Sequence, residues 1–166
     1  PSSDTAFFFI FGENNLCIAR YNLNYPPTSI DFYDWAFVVK LLNTSFRFKF
    51  NLATTGFNLY LSGYYAGNSA LDVDPSSGIY NIPASVRSNT FLVKYDVTQL
   101  PTASTFIKWG FTLPVLPDNS SSSIPSGASV TVKGNDIYLY GVIEVGTSID
   151  LNPSSNVFNI SNSGDY

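Results

Sequence analysis

The run Ala6-Phe7-Phe8-Phe9-Ile10-Phe11 constrains this chain more than any other stretch. Six apolar residues follow one another without a polar break and stop at Gly12-Glu13-Asn14-Asn15. A strand with one wetted face alternates apolar and polar residues, whereas a short unbroken apolar run belongs to a strand covered on both faces. The cover must come either from the strand's own domain or from a neighbouring subunit.

The chain as a whole is the size of one domain. It has 166 residues, of which 45% are apolar and 16% aromatic, ample for a packed core. Charged residues make up only 12%, about half the usual share, so Ser, Thr, Asn, Gly and Tyr carry the polarity. The net charge is -4, and the eight Lys and Arg residues are scattered singly from Arg20 to Lys133. That pattern excludes a basic stripe for nucleic-acid backbones and a basic amphipathic helix for anionic membranes. No apolar run is long enough to span a bilayer as a helix. Cys17 is the single cysteine, so no internal disulfide forms, and its place in Leu16-Cys17-Ile18 reads as a small buried hydrophobe. A chain opening Pro-Ser-Ser suits a mature form whose leader has been removed.

Strand signals fill the sequence. Leu16 to Tyr21 is expected to pair with the opening run across Gly12 to Asn15 as a hairpin. Phe32 to Leu42 mixes helical spacing with aromatic and β-branched composition, and composition favours a strand over a short helix. Phe46, Phe48, Phe50 and Leu52 alternate with Arg47, Lys49 and Asn51, giving one core face and one wet face. The turn Ala53-Thr54-Thr55-Gly56 leads into a second alternating strand from Phe57 to Ser62. Gly63 to Ser88 reads as an irregular excursion with a short strand at Ile79 to Ile82. Strands follow at Phe91 to Val97 and Phe106 to Leu113, the latter stopped by Pro114 and Pro117. The segment Asp118 to Gly127, with four consecutive serines, is an exposed loop. Ala128 to Lys133 and Ile137 to Val145 form a hairpin around Gly134-Asn135-Asp136, and Val157 to Ile160 is a final strand. About ten strands, no long helix and no repeat period predict an all-β, single-domain antiparallel β-sandwich or jelly roll.

The chemistry of catalysis is largely missing. There is no histidine, which removes the Ser-His-Asp triad, the Cys-His pair and nearly every zinc site. A glycosidase needs only two carboxylates, but nothing ties Glu13 to Glu144, and the chain is not expected to be an enzyme or to carry a cofactor. Asp72-Val73-Asp74 offers hard oxygen ligands yet lacks the later acidic ligand and glycine spacing of a calcium loop, so it reads as a solvated turn. Gly63-Tyr64-Tyr65-Ala66-Gly67 offers aromatic platforms to a sugar, although packing is the simpler use of two among eleven tyrosines. Three sequons begin at Asn43, Asn119 and Asn159. In a secreted protein Asn43, between strands, and Asn119, heading the serine loop, would let a glycan project into water.

The N-terminal extension Thr5 to Phe11, the all-β body after Leu16 and the sequons together resemble the strand-complemented subunits of extracellular fibres. These include pilins of the donor-strand type, archaeal thread-like filaments and glycan-coated fibrils. The resemblance is architectural, and this chain lacks the cysteine bridge of many bacterial pilins. It implies a donor segment over residues 1–15, with Ala6, Phe7, Phe8, Phe9, Ile10 and Phe11 as the donor strand. Residues 16–166 would form the acceptor body, and a leader would be removed on export. The expected partners are then other copies of the chain, head to tail at the cell surface or outside the cell, with covalent glycans. At about 1.5–3 kcal/mol per fully buried large side chain, the phenylalanines of that strand would make a strong attachment. The alternative is a self-contained binding module, such as a viral or phage spike head or a carbohydrate-binding sandwich.

Overall fold

The computed structural model describes residues 5–12, 15–40, 47–116, 129–143 and 146–162. Every regular element among them is a strand. In chain order these are β1 (Thr5–Gly12), β2 (Asn15–Asn22), β3 (Tyr33–Lys40), β4 (Arg47–Thr55), β5 (Asn58–Gly67), β6 (Leu71–Asp72), β7 (Asn81–Ile82), β8 (Ser85–Asp96), β9 (Ile107–Leu116), β10 (Ser129–Lys133), β11 (Asp136–Tyr140), β12 (Thr147–Asp150) and β13 (Asn159–Asn162). All pairings are antiparallel, and the fold is all-β and sandwich-like.

A six-stranded sheet in the order β13-β12-β9-β8-β5-β4 forms the centre. The alternation of Leu59, Leu61 and Tyr65 on β5 and of Phe91, Val93 and Tyr95 on β8 puts these residues on one face. The sheet β1-β2-β3 covers that face with Leu16, Ile18, Trp35, Phe37 and Val39. Phe106 closes the layer: it is fully buried, with ring centroids 5.6 Å from Trp35, 5.5 Å from Phe37 and 5.1 Å from Tyr95. Such offset and edge-on aromatic contacts add to the area they bury. Arg20 of β2 also reaches across the layers, donating from Nη1 to the Val97 carbonyl at 2.7 Å, and its Nε lies 3.1 Å from Asp34 Oδ2.

The other face of the central sheet, expected from β4 to be wet, is exposed at Lys49 but covered at β5 and β8. Tyr60 and Leu92, with Trp109 and Phe111, pack beneath the β10–β11 hairpin through Val130, Val132, Ile137 and Leu139. Lys and Asn positions had suggested solvent, but strand β5 is nearly buried on both faces because a second, smaller layer lies over it. Only a tertiary cover explains this.

Other local expectations are met or shifted by a few residues. The Phe32 to Leu42 segment is the strand β3 over its described part, and the hairpins β1–β2, β4–β5 and β10–β11 form as read. Gly134, at φ +61°, supplies the left-handed residue in the β10–β11 turn. Phe57 sits in the β4–β5 turn, 65% exposed, rather than heading a strand. The chain from Gly63 to Gly67 continues β5 instead of opening a loop. Gly63 is required there, since a Cβ would strike the Lys49 carbonyl oxygen of the paired strand. Strand β9 runs through Pro114 to Leu116. Pro114 falls where the ladder with β8 ends at Asn89 and the ladder with β12 begins at Val115, so an amide is dispensable there.

Phe106→Ala is expected to lower unfolding free energy by about 3–5 kcal/mol, whereas Phe57→Ala stays within about 0.5 kcal/mol. Urea unfolding followed by tryptophan fluorescence measures both. Equal losses would mean that the aromatic cluster does not hold the layers together.

Candidate functional site

Strand β1 is the rim of the three-stranded sheet and, among the described residues, pairs with β2 alone. Its ladder runs through eight residue pairs, from Thr5↔Asn22 to Gly12↔Asn15. Ala6 to Phe11, the residues expected to form a donor strand, thus all belong to one strand at a sheet edge. The register sets Phe9 opposite Ile18 and Phe11 opposite Leu16, both fully buried, and sets Phe8 opposite Ala19 and Ile10 opposite Cys17. Paired positions share a face of the pleat, so alternate β1 positions belong to the core face and to the outer face of the sheet. Cys17 is half-buried. Among the described residues no strand is bonded to the other side of β1, the situation that sheet proteins usually guard against.

The remaining sequence candidates fall apart spatially. Asn43, Asn119, Glu13 and Glu144 lie outside the described residues. Asn159 is exposed at the start of β13, and by strand alternation its side chain is on the face opposite Phe158 and Ile160. Tyr65 is buried, donates its hydroxyl to the Ser69 carbonyl at 2.5 Å, and cannot present a ring to a sugar; burial also raises its pKa. Tyr64 is half-buried on β5.

Asp72 and Asp74 hold backbone. Asp72 Oδ1 accepts the amides of Asp74 at 3.0 Å and Tyr80 at 2.9 Å, and Asp74 Oδ1 accepts that of Ser76 at 2.8 Å. Among the described residues no group of three or more His, Cys, Asp or Glu side chains converges to hold a metal ion.

The same loop occurs twice, a feature that the search for a repeat period misses. Leu71-Asp72-Val73-Asp74-Pro75-Ser76-Ser77-Gly78-Ile79-Tyr80-Asn81-Ile82 matches Ile149-Asp150-Leu151-Asn152-Pro153-Ser154-Ser155-Asn156-Val157-Phe158-Asn159-Ile160, identical or closely similar at nearly every position. In the second copy Asp150 Oδ1 accepts the amides of Asn152 at 3.0 Å and Phe158 at 2.9 Å, and Asn152 Oδ1 accepts that of Ser154 at 3.0 Å. The backbone bond Val73 N–H to Tyr80 O, 3.0 Å, has its counterpart in Leu151 N–H to Phe158 O, 2.9 Å. Each loop is a chain of side-chain turns in which Asp, Asn and Ser replace the missing backbone partners. An aligned comparison of the Asp-x-(Asp/Asn)-Pro-Ser-Ser stretches is the signal that would have found it.

Two open clefts are lined by described residues. One, of about 490 Å³, lies between the two loops and is bordered by Tyr80, Ile82, Pro83, Phe111 and Pro153. The other, of about 670 Å³, is flanked by Phe57, Asn58, Lys94, Asp96, Thr98 and Asn135. There the Asp96 carboxyl is held below the usual carboxylate range, chiefly by the Thr98 hydroxyl at 2.6 Å, with Lys108 Nζ 3.0 Å from its other oxygen. The chain matches no family model, no curated protein and no solved structure.

Two outcomes follow from the loop chemistry. Asp72→Ala, which strands two amides, is expected to cost about 1–3 kcal/mol, while Asp72→Asn keeps the acceptor and costs little; a chelator leaves the melting temperature unchanged. Chemical and thermal unfolding read both. A second outcome concerns Tyr95, which is buried and donates its hydroxyl to the Val73 carbonyl at 2.9 Å. Burial, reinforced by Asp74 and Asp72, raises its pKa well above 10. The unfolded chain ionises from pH about 10 while the folded one keeps the proton, so stability is full below that pH and falls as pH rises beyond it. Ultraviolet titration of phenolate should find Tyr95 silent until unfolding, and Tyr95→Phe should flatten the alkaline loss.

Proposed function

We propose that this chain is the structural protomer of an extracellular filament, assembled head to tail by donation of strand β1 to the neighbouring subunit. One observation carries the reading: the most apolar strand of the chain is also a rim strand, bonded to β2 alone among the described residues and joined to it through residues 13–14.

Exchange of such a strand costs little in bonds. If β1 of one copy takes the same register on β2 of the next, every ladder pair from Thr5↔Asn22 to Gly12↔Asn15 is remade between chains. Opening the turn at 13–14 turns Thr5 to Asn22 into one extended segment that bridges two bodies. A one-way exchange repeats without closing and makes a fibre; a reciprocal exchange closes into a dimer. The low charge, the Ser, Thr and Asn content and the sequons at Asn43, Asn119 and Asn159 suit a surface outside the cell. No helix among the described residues is long and apolar enough to cross a membrane.

A self-contained binding head is the alternative. The 65% exposed ring of Phe57, beside Asn58 and Asn135 in the larger cleft, is where it would take a sugar.

Removal of residues 1–11 is expected to abolish fibre formation and leave a less stable body, because β2 loses its partner. A synthetic peptide of residues 1–11 added to that body should restore its melting temperature without restoring fibres. Negative-stain microscopy and calorimetry read the two effects. A truncated chain that still polymerises would contradict the proposal, and a Phe57-dependent sugar affinity in a monomeric protein would favour the binding head.

A further inference from the structure

The larger cleft lies where two turns border one end of the central sheet. Its floor is Asn58 and Tyr60 of β5 with Lys94 and Asp96 of β8, and its walls are the β4–β5 turn, which presents Phe57, and the β10–β11 turn, which presents Asn135. The floor follows from register. Tyr60 pairs with Lys94 and Asn58 with Asp96, so the four side chains share one face of the pleat, the face on which the β10–β11 hairpin packs. The position of Phe57 is fixed by its backbone, whose carbonyl accepts the Val97 amide at 2.9 Å.

The two charged groups of the floor differ in how they are neutralised. Asp96 is engaged on both carboxylate oxygens, one accepting the Thr98 amide at 3.0 Å and hydroxyl at 2.6 Å, the other 3.0 Å from Lys108 Nζ. Lys94, among the described residues, is paired with no carboxylate. Its Nζ lies 5.8 Å from the Tyr60 ring centroid and 6.0 Å from that of Trp109, the residues on either side of it in one cross-strand row. The rings orient the ammonium, and its half-burial removes water without supplying a counter-charge. In a chain of net charge -4 the cleft therefore holds one unneutralised cation. The amides of Asn58, half-buried, and Asn135, exposed, offer donors and acceptors beside it.

We propose that this cleft binds an acidic saccharide, a sugar that carries a carboxylate such as a uronic acid. Lys94 takes the carboxylate, the Phe57 ring takes the apolar C–H face of the pyranose, and the two amides take hydroxyls. The volume, about 670 Å³, falls within the usual range of a small-ligand site. A lone lysine is a point charge that suits one carboxylate, whereas phosphate sites commonly add an arginine fork or a helix N-terminus, and no arginine lines this cleft. The ring is 65% exposed on a short turn already held by the Val97 amide, so little ordering is left to the binding step. The site adds a ligand to the proposed protomer and does not depend on whether copies assemble.

The test is saturation-transfer NMR on the full chain, which reads monomers and large assemblies alike. The probe is sodium glucuronate, with glucose as the neutral control and sodium acetate as the charge control. Glucuronate is expected to bind about tenfold or more tightly than either control, and its affinity should fall as salt rises. Lys94→Met, which keeps an unbranched stem between Tyr60 and Trp109, should reduce glucuronate to the level of glucose. Phe57→Ala, at an exposed position, should weaken it by about tenfold while the melting temperature holds. Glucose or acetate binding as well as glucuronate, or an affinity indifferent to salt and to Phe57→Ala, would overturn the site even if Lys94→Met failed to fold. Fibre formation is read separately by microscopy, so loss of the sugar site leaves strand donation standing, and a monomer that binds glucuronate keeps the site and overturns the fibre.

Discussion

The fold depends on the aromatic layer between the three-stranded and six-stranded sheets. Trp35 and Phe37 from one sheet and Tyr95 from the other meet around Phe106, which arrives from the β8–β9 connection. With few charges available, this packing, the Arg20 bridge to Val97 and the first side-chain-built loop tie the layers together. Removing apolar area from water at about 25 cal/mol per Å² is the dominant favourable term in such a body. Strand β1 lies at the rim of this body and, among the described residues, is bonded to β2 alone.

That asymmetry links stability to assembly. Among the described residues β1 is held by one ladder, that with β2, so an exchange between copies has a single set of strand bonds to remake. The β12–β13 hairpin lies at an edge of the six-stranded sheet: two residue pairs join it to β9, and β13 is the last strand of its sheet. The chain therefore has a firm centre and two margins, of which β1 is the apolar one. Margins of this kind are liabilities in a monomer and natural contacts in a polymer.

Much of the fold was legible in the sequence. Phe48, Phe50 and Leu52 alternate with Lys49 and Asn51, and strict alternation next to a glycine-bearing turn has few outcomes other than a hairpin. Gly134-Asn135 made the β10–β11 turn equally readable. What was not legible depends on tertiary cover. The burial of Tyr60 and Ser62 follows from a hairpin seventy residues further along the chain laid over β5, which periodicity cannot report. Gly63 to Gly67 read as a loop because glycine is rare within strands, yet close approach of β4 is what demands Gly63. Strand β12, Thr-Ser-Ile-Asp, has one apolar residue and is a strand because β9 and β13 flank it. The apolar run of β1 announced that both its faces need cover, and nothing in the run states whose residues supply it.

The most direct measurement is a cryo-electron microscopy map of the native protein at side-chain resolution. Strand donation predicts a fibre in which density for Phe7 to Phe11 crosses from one body to the next and lies on the neighbour's Arg20 to Leu16 in the β1–β2 register. Isolated particles with the turn at 13–14 closed, and β1 lying on its own β2, would contradict it.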